Sequence, residues 1–300
     1  MKYQPHYIRL YESGVLQQRV DVLEDRMRSC DLCPHRCHIN RMEGERGTCK
    51  TGAKPFVSAV QPHFGEERPL VGRGGSGTIF FTNCNLDCIF CQNYDISHLG
   101  RGEEVSYEEL AAMMLTLQRR GCHNINLVSP SHQVYAITRS LLTAIPDGLH
   151  VPIVYNSGGY DSVQTLQLLE NVVDIYMPDF KYMDPKAAGE LSGVPDYPEV
   201  AVKALREMHR QVCNLVTDER GIAQRGLLVR HLVLPNDLAR TGKVLDELVN
   251  ISPDTYVNIM DQYRPEYRAR ECFDLRRRVT LDEYNHAVNY ARSIGLHRLD

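Results

Sequence analysis

Three cysteines at the spacing Cys84-x3-Cys88-x2-Cys91 constrain this chain more than any other feature. Three thiolates in one short loop can converge on one inorganic centre. A [4Fe–4S] cluster is usually held by four cysteines, so three would leave one iron free to take another ligand. With 10 cysteines in 300 residues, this spacing would arise by chance in roughly one chain in a hundred, treating positions as independent. A short apolar run, Thr78-Ile79-Phe80-Phe81, stands directly before the triplet. It reads as a buried strand, and the triplet reads as the loop at its end.

A second set, Cys30-x2-Cys33-x3-Cys37-x11-Cys49, lies upstream. Pro34, Gly44 and Gly47 make this segment loop-like, and it holds few apolar residues. Such a segment cannot order itself on its own core, so a metal closed by four thiolates would supply the order. A structural Zn²⁺ and an auxiliary iron–sulfur cluster both fit the spacing. His35 and His38 are read as surface residues, because four cysteines already complete a site.

The formal net charge of −4 leaves no basic footprint for nucleic acid. The first residues, Met1-Lys2-Tyr3-Gln4-Pro5-His6, lack the apolar stretch of a signal peptide. No run approaches the length of a membrane span. A soluble, cytoplasmic protein without a membrane or nucleic-acid partner is expected. In such a setting, clustered cysteines favour metal ligation over disulfides.

Residues 55–77, with Gly72-Arg73-Gly74-Gly75-Ser76-Gly77, read as a turn-rich, flexible connector. From Thr78 the pattern turns rhythmic. After the first strand, further strands are expected at Asn124–Val128, Pro152–Tyr155, Val173–Met177, Leu227–Val233 and Tyr256–Met260. Helical patterns alternate with them. One opens with the capping box Ser106-Tyr107-Glu108-Glu109, and others cover about 134–145, 161–170, 198–213 and 241–249. A last helix covers about 281–294. Six strand–helix units argue a parallel α/β fold, a partial (β/α)6 TIM-like barrel with an N-terminal four-cysteine metal-binding segment. The expected division is an arm over 1–29, partly helical through Val20, Val22, Leu23 and Met27. The metal-binding segment and connector follow over 30–75, the barrel over 76–265 and a C-terminal extension over 266–300.

In parallel α/β folds, ligands lie at the carboxyl ends of the strands. The residues there are Ser129-Pro130-Ser131-His132, Asn156-Ser157-Gly158-Gly159-Tyr160, Pro178-Asp179-Phe180-Lys181, Arg230-His231 and Asp261-Gln262-Tyr263-Arg264. They are expected to face the three-cysteine loop.

The triplet with its preceding aromatic, Cys84-x3-Cys88-x-Phe90-Cys91, resembles the signature of the radical S-adenosylmethionine (radical SAM) superfamily. Gln92-Asn93-Tyr94-Asp95-Ile96-Ser97, Met177-Pro178-Asp179-Phe180-Lys181 and Val229-Arg230-His231-Leu232-Val233-Leu234-Pro235 resemble its activating-enzyme branch. The nearest likeness is to homologues of the pyruvate formate-lyase activating enzyme, and it extends to Cys30-Asp31-Leu32-Cys33-Pro34-His35-Arg36-Cys37. It spans about residues 30–270.

The resemblance implies that Cys84, Cys88 and Cys91 hold a [4Fe–4S] cluster whose open iron binds SAM. Reductive cleavage of SAM gives a 5′-deoxyadenosyl radical that abstracts hydrogen from a substrate. It further implies that Phe90 packs beside the adenine and that Asn156, Ser157, Asp179 and Arg230 orient ribose and methionine, with Lys181 as a further member. A low-potential electron donor such as flavodoxin or ferredoxin is implied as a partner. The branch's Gly-Gly-Glu motif is absent after the second strand, which makes Ser129 and Ser131 the candidates for holding the SAM amino group. Gln262-Tyr263 stands where a histidine follows the sixth strand in well-known activating enzymes.

Three functions remain open on sequence. One is an activase acting on a glycine of a partner protein. Another is a radical SAM enzyme acting on a small molecule or peptide, such as an epimerase, with Cys272 as the candidate catalytic hydrogen donor. The third is a non-catalytic iron–sulfur or zinc protein that carries electrons or scaffolds a complex. Cys122 and Cys213 are read as ordinary small apolar residues.

Overall fold

The computed structural model describes residues 3–300; Met1 and Lys2 lie outside the described residues. In chain order the strands are β1 (Phe56–His63), β2 (Ser76–Phe81), β3 (Glu103–Glu104), β4 (Ile125–Val128), β5 (Ile153–Asn156), β6 (Ile175–Tyr176), β7 (Val216–Thr217), β8 (Ala223–Leu232) and β9 (Tyr256–Met260). The helices are α1 (His6–Glu12), α2 (Val15–Arg28), α3 (Arg68–Val71), α4 (Tyr94–Ser97), α5 (Tyr107–Arg119), α6 (Val134–Ala144), α7 (Val163–Leu168), α8 (Pro185–Ser192), α9 (Tyr197–Val212), α10 (Thr241–Ile251) and α11 (Leu281–Ser293).

The six expected runs all form strands. They pair in parallel in the order β2-β4-β5-β6-β8-β9. Parallel neighbours need a crossover, and helices α5 to α10 supply them. Among the described residues β9 does not return to pair with β1 or β3, so this mixed α/β sheet is not closed. The alternation of side chains along each strand then makes two cores. Ile79, Leu127, Tyr155, Tyr176 and Leu227 point to the helices and join the main core. Val154, Ile175, Met177 and Leu228 point the other way and meet Leu70.

Local chemistry explains where the helices begin. The Ser106 hydroxyl accepts from the Glu109 N–H at 3.1 Å, and the Glu109 carboxylate accepts from the Ser106 N–H at 2.6 Å, so the expected capping box is formed. Thr280 and Glu283 repeat the device at α11. α8, not foreseen, starts with an Asp184 cap followed by Pro185, and ends on Gly193 in the left-handed conformation.

Two readings change. Residues 55–77 are not a flexible connector. β1 pairs antiparallel with the open edge of β2, and α3 turns back so that fully buried Leu70 plugs the inner face of the sheet. Pro62 and an irregular burial pattern hide β1 from any two-residue period. Residues 6–28 are two helices of the main core rather than an arm. Leu16, Val20, Leu23 and Met27 are buried at helical spacing, whereas Val22 is exposed.

Leu70→Ala would leave a cavity at the inner core. It is expected to lower stability by about 2–5 kcal/mol, read as a fall in the urea midpoint at unchanged slope.

Candidate active site

The loop after β2 is held at both ends. Thr82 N–H donates to Phe56 O at 2.8 Å, and Asn83 N–H donates to Ile96 O at 3.0 Å. Asn83 takes a positive φ of 67° at the bend, a conformation that asparagine tolerates better than most residues. Cys84, Cys88 and Cys91 all line one cleft of about 240 Å³. The Leu86 N–H donates to Cys84 Sγ at 3.4 Å, and Cys88 Sγ lies 2.9 Å from Ser192 Oγ. Ser192 Oγ is in turn 2.9 Å from the Tyr182 hydroxyl. Burial pushes the Cys84 thiol up to about 12 and the Cys88 thiol to about 11, and it raises Cys91. Binding of a metal centre would release these protons, because its ligands must be deprotonated. Among the described residues no three Cys, His, Asp or Glu side chains already stand at single-ion spacing. The triplet is a set of mutually interacting thiols with hydrogen-bond donors turned to its sulfurs, a donor set suited to an iron–sulfur cluster.

The facing wall comes from three neighbouring strand ends. Asn156 ends β5, Asp179 follows β6 and Arg230 sits in β8. The ladder continues past the two-residue β6, because Arg230 N–H donates to Pro178 O at 3.0 Å and Phe180 N–H to Arg230 O at 2.8 Å. Asp179 is thereby fixed opposite Arg230. Its carboxylate accepts from Arg230 Nε at 3.0 Å and from Lys181 Nζ at 2.6 Å. Arg230 also donates from Nη2 to Asn156 Oδ1 at 2.8 Å and faces Glu66 at 3.6 Å. Burial alone would raise the Asp179 carboxyl, but Lys181 and Arg230 outweigh it and hold the group below the usual range. For Glu66, burial wins over Arg230 and the carboxyl is raised. Gly159 lets the loop after β5 reach this wall. Its φ is +79°, and a Cβ there would stand 2.2 Å from Asp179 O.

The four-cysteine segment lies against the back of the same loop. Cys30, Cys33 and Cys49 are buried and Cys37 is half-buried. Burial, together with the neighbouring Cys49, Cys30 and Cys37, pushes the Cys33 thiol up to about 12. His35, expected at the surface, donates from Nε2 to Asn85 O at 2.7 Å instead.

Residues 78–220 match the Radical SAM superfamily. An uncharacterized protein of Methanocaldococcus jannaschii is 33% identical over 292 residues, covering 94% of this chain and 80% of the relative. The chain belongs to the radical SAM superfamily. Among solved structures, HydG, a maturase of the [FeFe]-hydrogenase, aligns with a TM-score of 0.48 at 11% identity. That alignment covers 74% of this chain and about half, 49%, of HydG. Among the described residues no helix is long and apolar enough to cross a membrane.

Within this radical SAM chain, Phe90, Ser129, Asn156, Ser157, Asp179, Lys181 and Arg230 line the three-cysteine cleft. Ser129 holds a positive φ of 58°, a conformation few residues other than glycine adopt, in the bend after β4. Ser131 lies behind the wall. With Ser157 and Tyr155 it donates to the buried Asp161 carboxylate, at 2.6, 2.6 and 2.9 Å. Cys272 is not part of the lining; it is half-buried, near Tyr263. Leu86, Val128, Leu232 and Met260 add apolar lining that sequence reading did not single out. Ser192 announced itself only through the Asp184-Pro185 start of its helix. Glu66 gave no local signal, since its role depends on Arg230, far away in sequence.

His132 and His231 point away from the cleft. His132 Nε2 donates to Thr82 O at 2.9 Å. His231 Nδ1 donates to Phe180 O at 2.7 Å, and its Nε2 meets Thr241 Oγ1 at 3.0 Å. Burial lowers both from 6.5 to about 4. The unfolded chain therefore takes up protons that the folded chain refuses. Their contribution to stability is complete above pH 6.5 and is lost as pH falls toward about 4, at about 1.4 kcal/mol per group per pH unit. Urea midpoints measured between pH 7 and pH 5 should fall more steeply for wild type than for His231→Gln.

Proposed function

We propose that this chain is a radical SAM enzyme that cleaves SAM reductively and uses the product radical to abstract hydrogen from a substrate. The observation that carries this reading is one cleft with three clustered thiols on one wall and the Asn156–Asp179–Lys181–Arg230 network on the other. When bound, the cluster supplies one electron to the S–C5′ bond of SAM, giving methionine and a 5′-deoxyadenosyl radical.

In this reading Cys84, Cys88 and Cys91 hold the cluster. Ser192 and the Leu86 N–H set the field at the sulfurs, as hydrogen bonds to cluster sulfurs do. Asp179 is ionised and Lys181 and Arg230 are cations, while burial raises the Glu66 carboxyl. The two cations, Lys181 and Arg230, suit the carboxylate of a methionine group. Arg230 suits it geometrically, because a planar guanidinium can offer two parallel donors. Asn156 and Ser157 orient hydroxyl groups. Ser129, at the bend after β4, is the candidate partner of the SAM amino group, and Ser131 acts behind it by holding Asp161. Phe90 closes the adenine side, packed edge-on against Tyr182 and Tyr263.

The substrate we favour is a glycine-bearing segment of a partner protein, with a donor such as flavodoxin or ferredoxin supplying electrons. The activating-enzyme likeness supports this, as does a polar, exposed rim at Gln92, Asn93 and Gln262. An epimerase-like reaction with Cys272 as hydrogen donor would need that thiol to reach the cleft, whose lining it does not join. A plain electron carrier or scaffold has no use for the Asp179 network. The four-cysteine segment is proposed as a metal centre ordered by its thiols.

The anaerobically reconstituted, reduced chain should form 5′-deoxyadenosine from SAM, and Cys88→Ala should form none above background. Arg230→Lys should weaken SAM binding about tenfold or more at unchanged iron content. A wild type that forms no 5′-deoxyadenosine under strong reductant would end this reading. A glycyl-radical signal in a partner mixed with the reduced enzyme and SAM would identify the activase; deuterium carried from a small molecule into 5′-deoxyadenosine would overturn it.

A further inference from the structure

We infer that Cys30, Cys33, Cys37 and Cys49 hold a second iron–sulfur cluster, joined to the Cys84 loop by two short hydrogen-bonded paths, and that electrons enter the active site there. This deepens the radical SAM reading and rests on it.

The first observation is a charge that needs a partner. The Arg41 side chain is buried, with the residue only 2% exposed. Its Nε and Nη2 donate to Gly52 O at 3.2 and 2.6 Å, and Nη2 donates to His132 O at 2.9 Å. The remaining nitrogen, Nη1, points at Cys30 Sγ at 3.9 Å. None of the ion pairs among the described residues gives it a carboxylate. A buried guanidinium held by carbonyls alone is costly, because carbonyl hydrogen bonds offset its desolvation less fully than a counter-charge does. Four neutral thiols supply no such charge. Four thiolates around a metal centre do.

The second observation separates a redox centre from a structural zinc. Two paths run from this set to Cys84, and each crosses a single hydrogen bond. Two residues beyond Cys33, His35 donates to Asn85 O at 2.7 Å, and Asn85 is bonded to Cys84. Two residues beyond Cys49, Thr51 Oγ1 accepts from Asn83 Nδ2 at 3.3 Å, and Asn83 is bonded to Cys84 on the other side. Between the two loops lies a cavity of about 350 Å³, lined by both Cys49 and Cys84. Zinc has no redox chemistry and needs no such connection. An iron–sulfur centre exchanges single electrons, and this packing brings it against the site that consumes them. The electron balance is simple. One electron arrives at the four-cysteine centre from an external low-potential donor and one leaves toward Cys84. The centre returns to its starting state, and no atom or proton is transferred.

The test is metal analysis and electron paramagnetic resonance on the full chain, prepared anaerobically as wild type, Cys88→Ala and Cys30→Ser/Cys49→Ser. The inference expects about eight irons per chain and no zinc in wild type, and about four irons in the Cys30/Cys49 variant. The fully reduced wild type should show a spectrum broadened by coupling between two nearby centres, and not the sum of the spectra of the two single-site forms. About four irons with about one zinc, or about four irons with no second metal, would overturn the inference while SAM cleavage persists. Additive spectra would overturn the connection. Loss of iron from the triplet or of SAM cleavage in wild type would instead sink the radical SAM reading. If the Cys30/Cys49 variant fails to fold, the wild-type metal count alone decides.

Discussion

The site depends on the ladder that continues from β6 into β8 beyond the end of the regular strand. β6 is only two residues long, yet the backbone bonds of Arg230 to Pro178 O and of Phe180 to Arg230 O carry its register forward. That register sets Asp179 opposite Arg230, and Asn156 reaches the same guanidinium from the adjoining β5. A slip by one residue would turn these side chains to the other face of the sheet. The apolar contacts of Val154, Ile175 and Leu228 with Leu70 resist such a slip from below. Packing of a small inner core therefore holds a charge arrangement one layer above it.

That arrangement sets opposite charges against one another at close range. Lys181 and Arg230 hold the Asp179 carboxyl low, while burial raises the Glu66 carboxyl against the pull of Arg230. Arg230 spreads its three nitrogens over three partners, Nε on Asp179, Nη2 on Asn156 and Nη1 facing Glu66, so the guanidinium as a whole does not depend on one of them.

Much of this was legible in the sequence because the relevant signals are local. The triplet, the six apolar runs and the polar residues that follow them each lie within a few positions. Strand order then converts separate loops into one wall, which is why Asn156, Asp179 and Arg230 could be placed together. What stayed hidden was relational. Phe56–His63 shows no clean alternation, since it lies between two partners and six of its eight residues are only partly buried. Glu66 looks like a solvated turn residue until Arg230 is set above it. Ser131 was rightly seen as a strand-end polar residue, but sequence could not say that its hydroxyl turns back to Asp161 rather than forward to the cleft. His35 follows the same lesson, for its partner is a backbone carbonyl fifty positions away.

The two cysteine sets are coupled mechanically as well as through the paths to Cys84. Arg41 holds the carbonyl of His132, and the His132 ring holds the carbonyl of Thr82, directly before the three-cysteine loop. The guanidinium thus ties three segments together: the N-terminal set, the bend after β4 that carries Ser129, and the entry to the triplet. The anionic centre inferred beside Cys30 would supply the counter-charge that the guanidinium's carbonyl partners do not. With such a centre, ordering of the N-terminal set would be coupled to ordering of the loop that carries Cys84 through these contacts. A centre at Cys30 would therefore stiffen the active-site loop even before any electron passes through it.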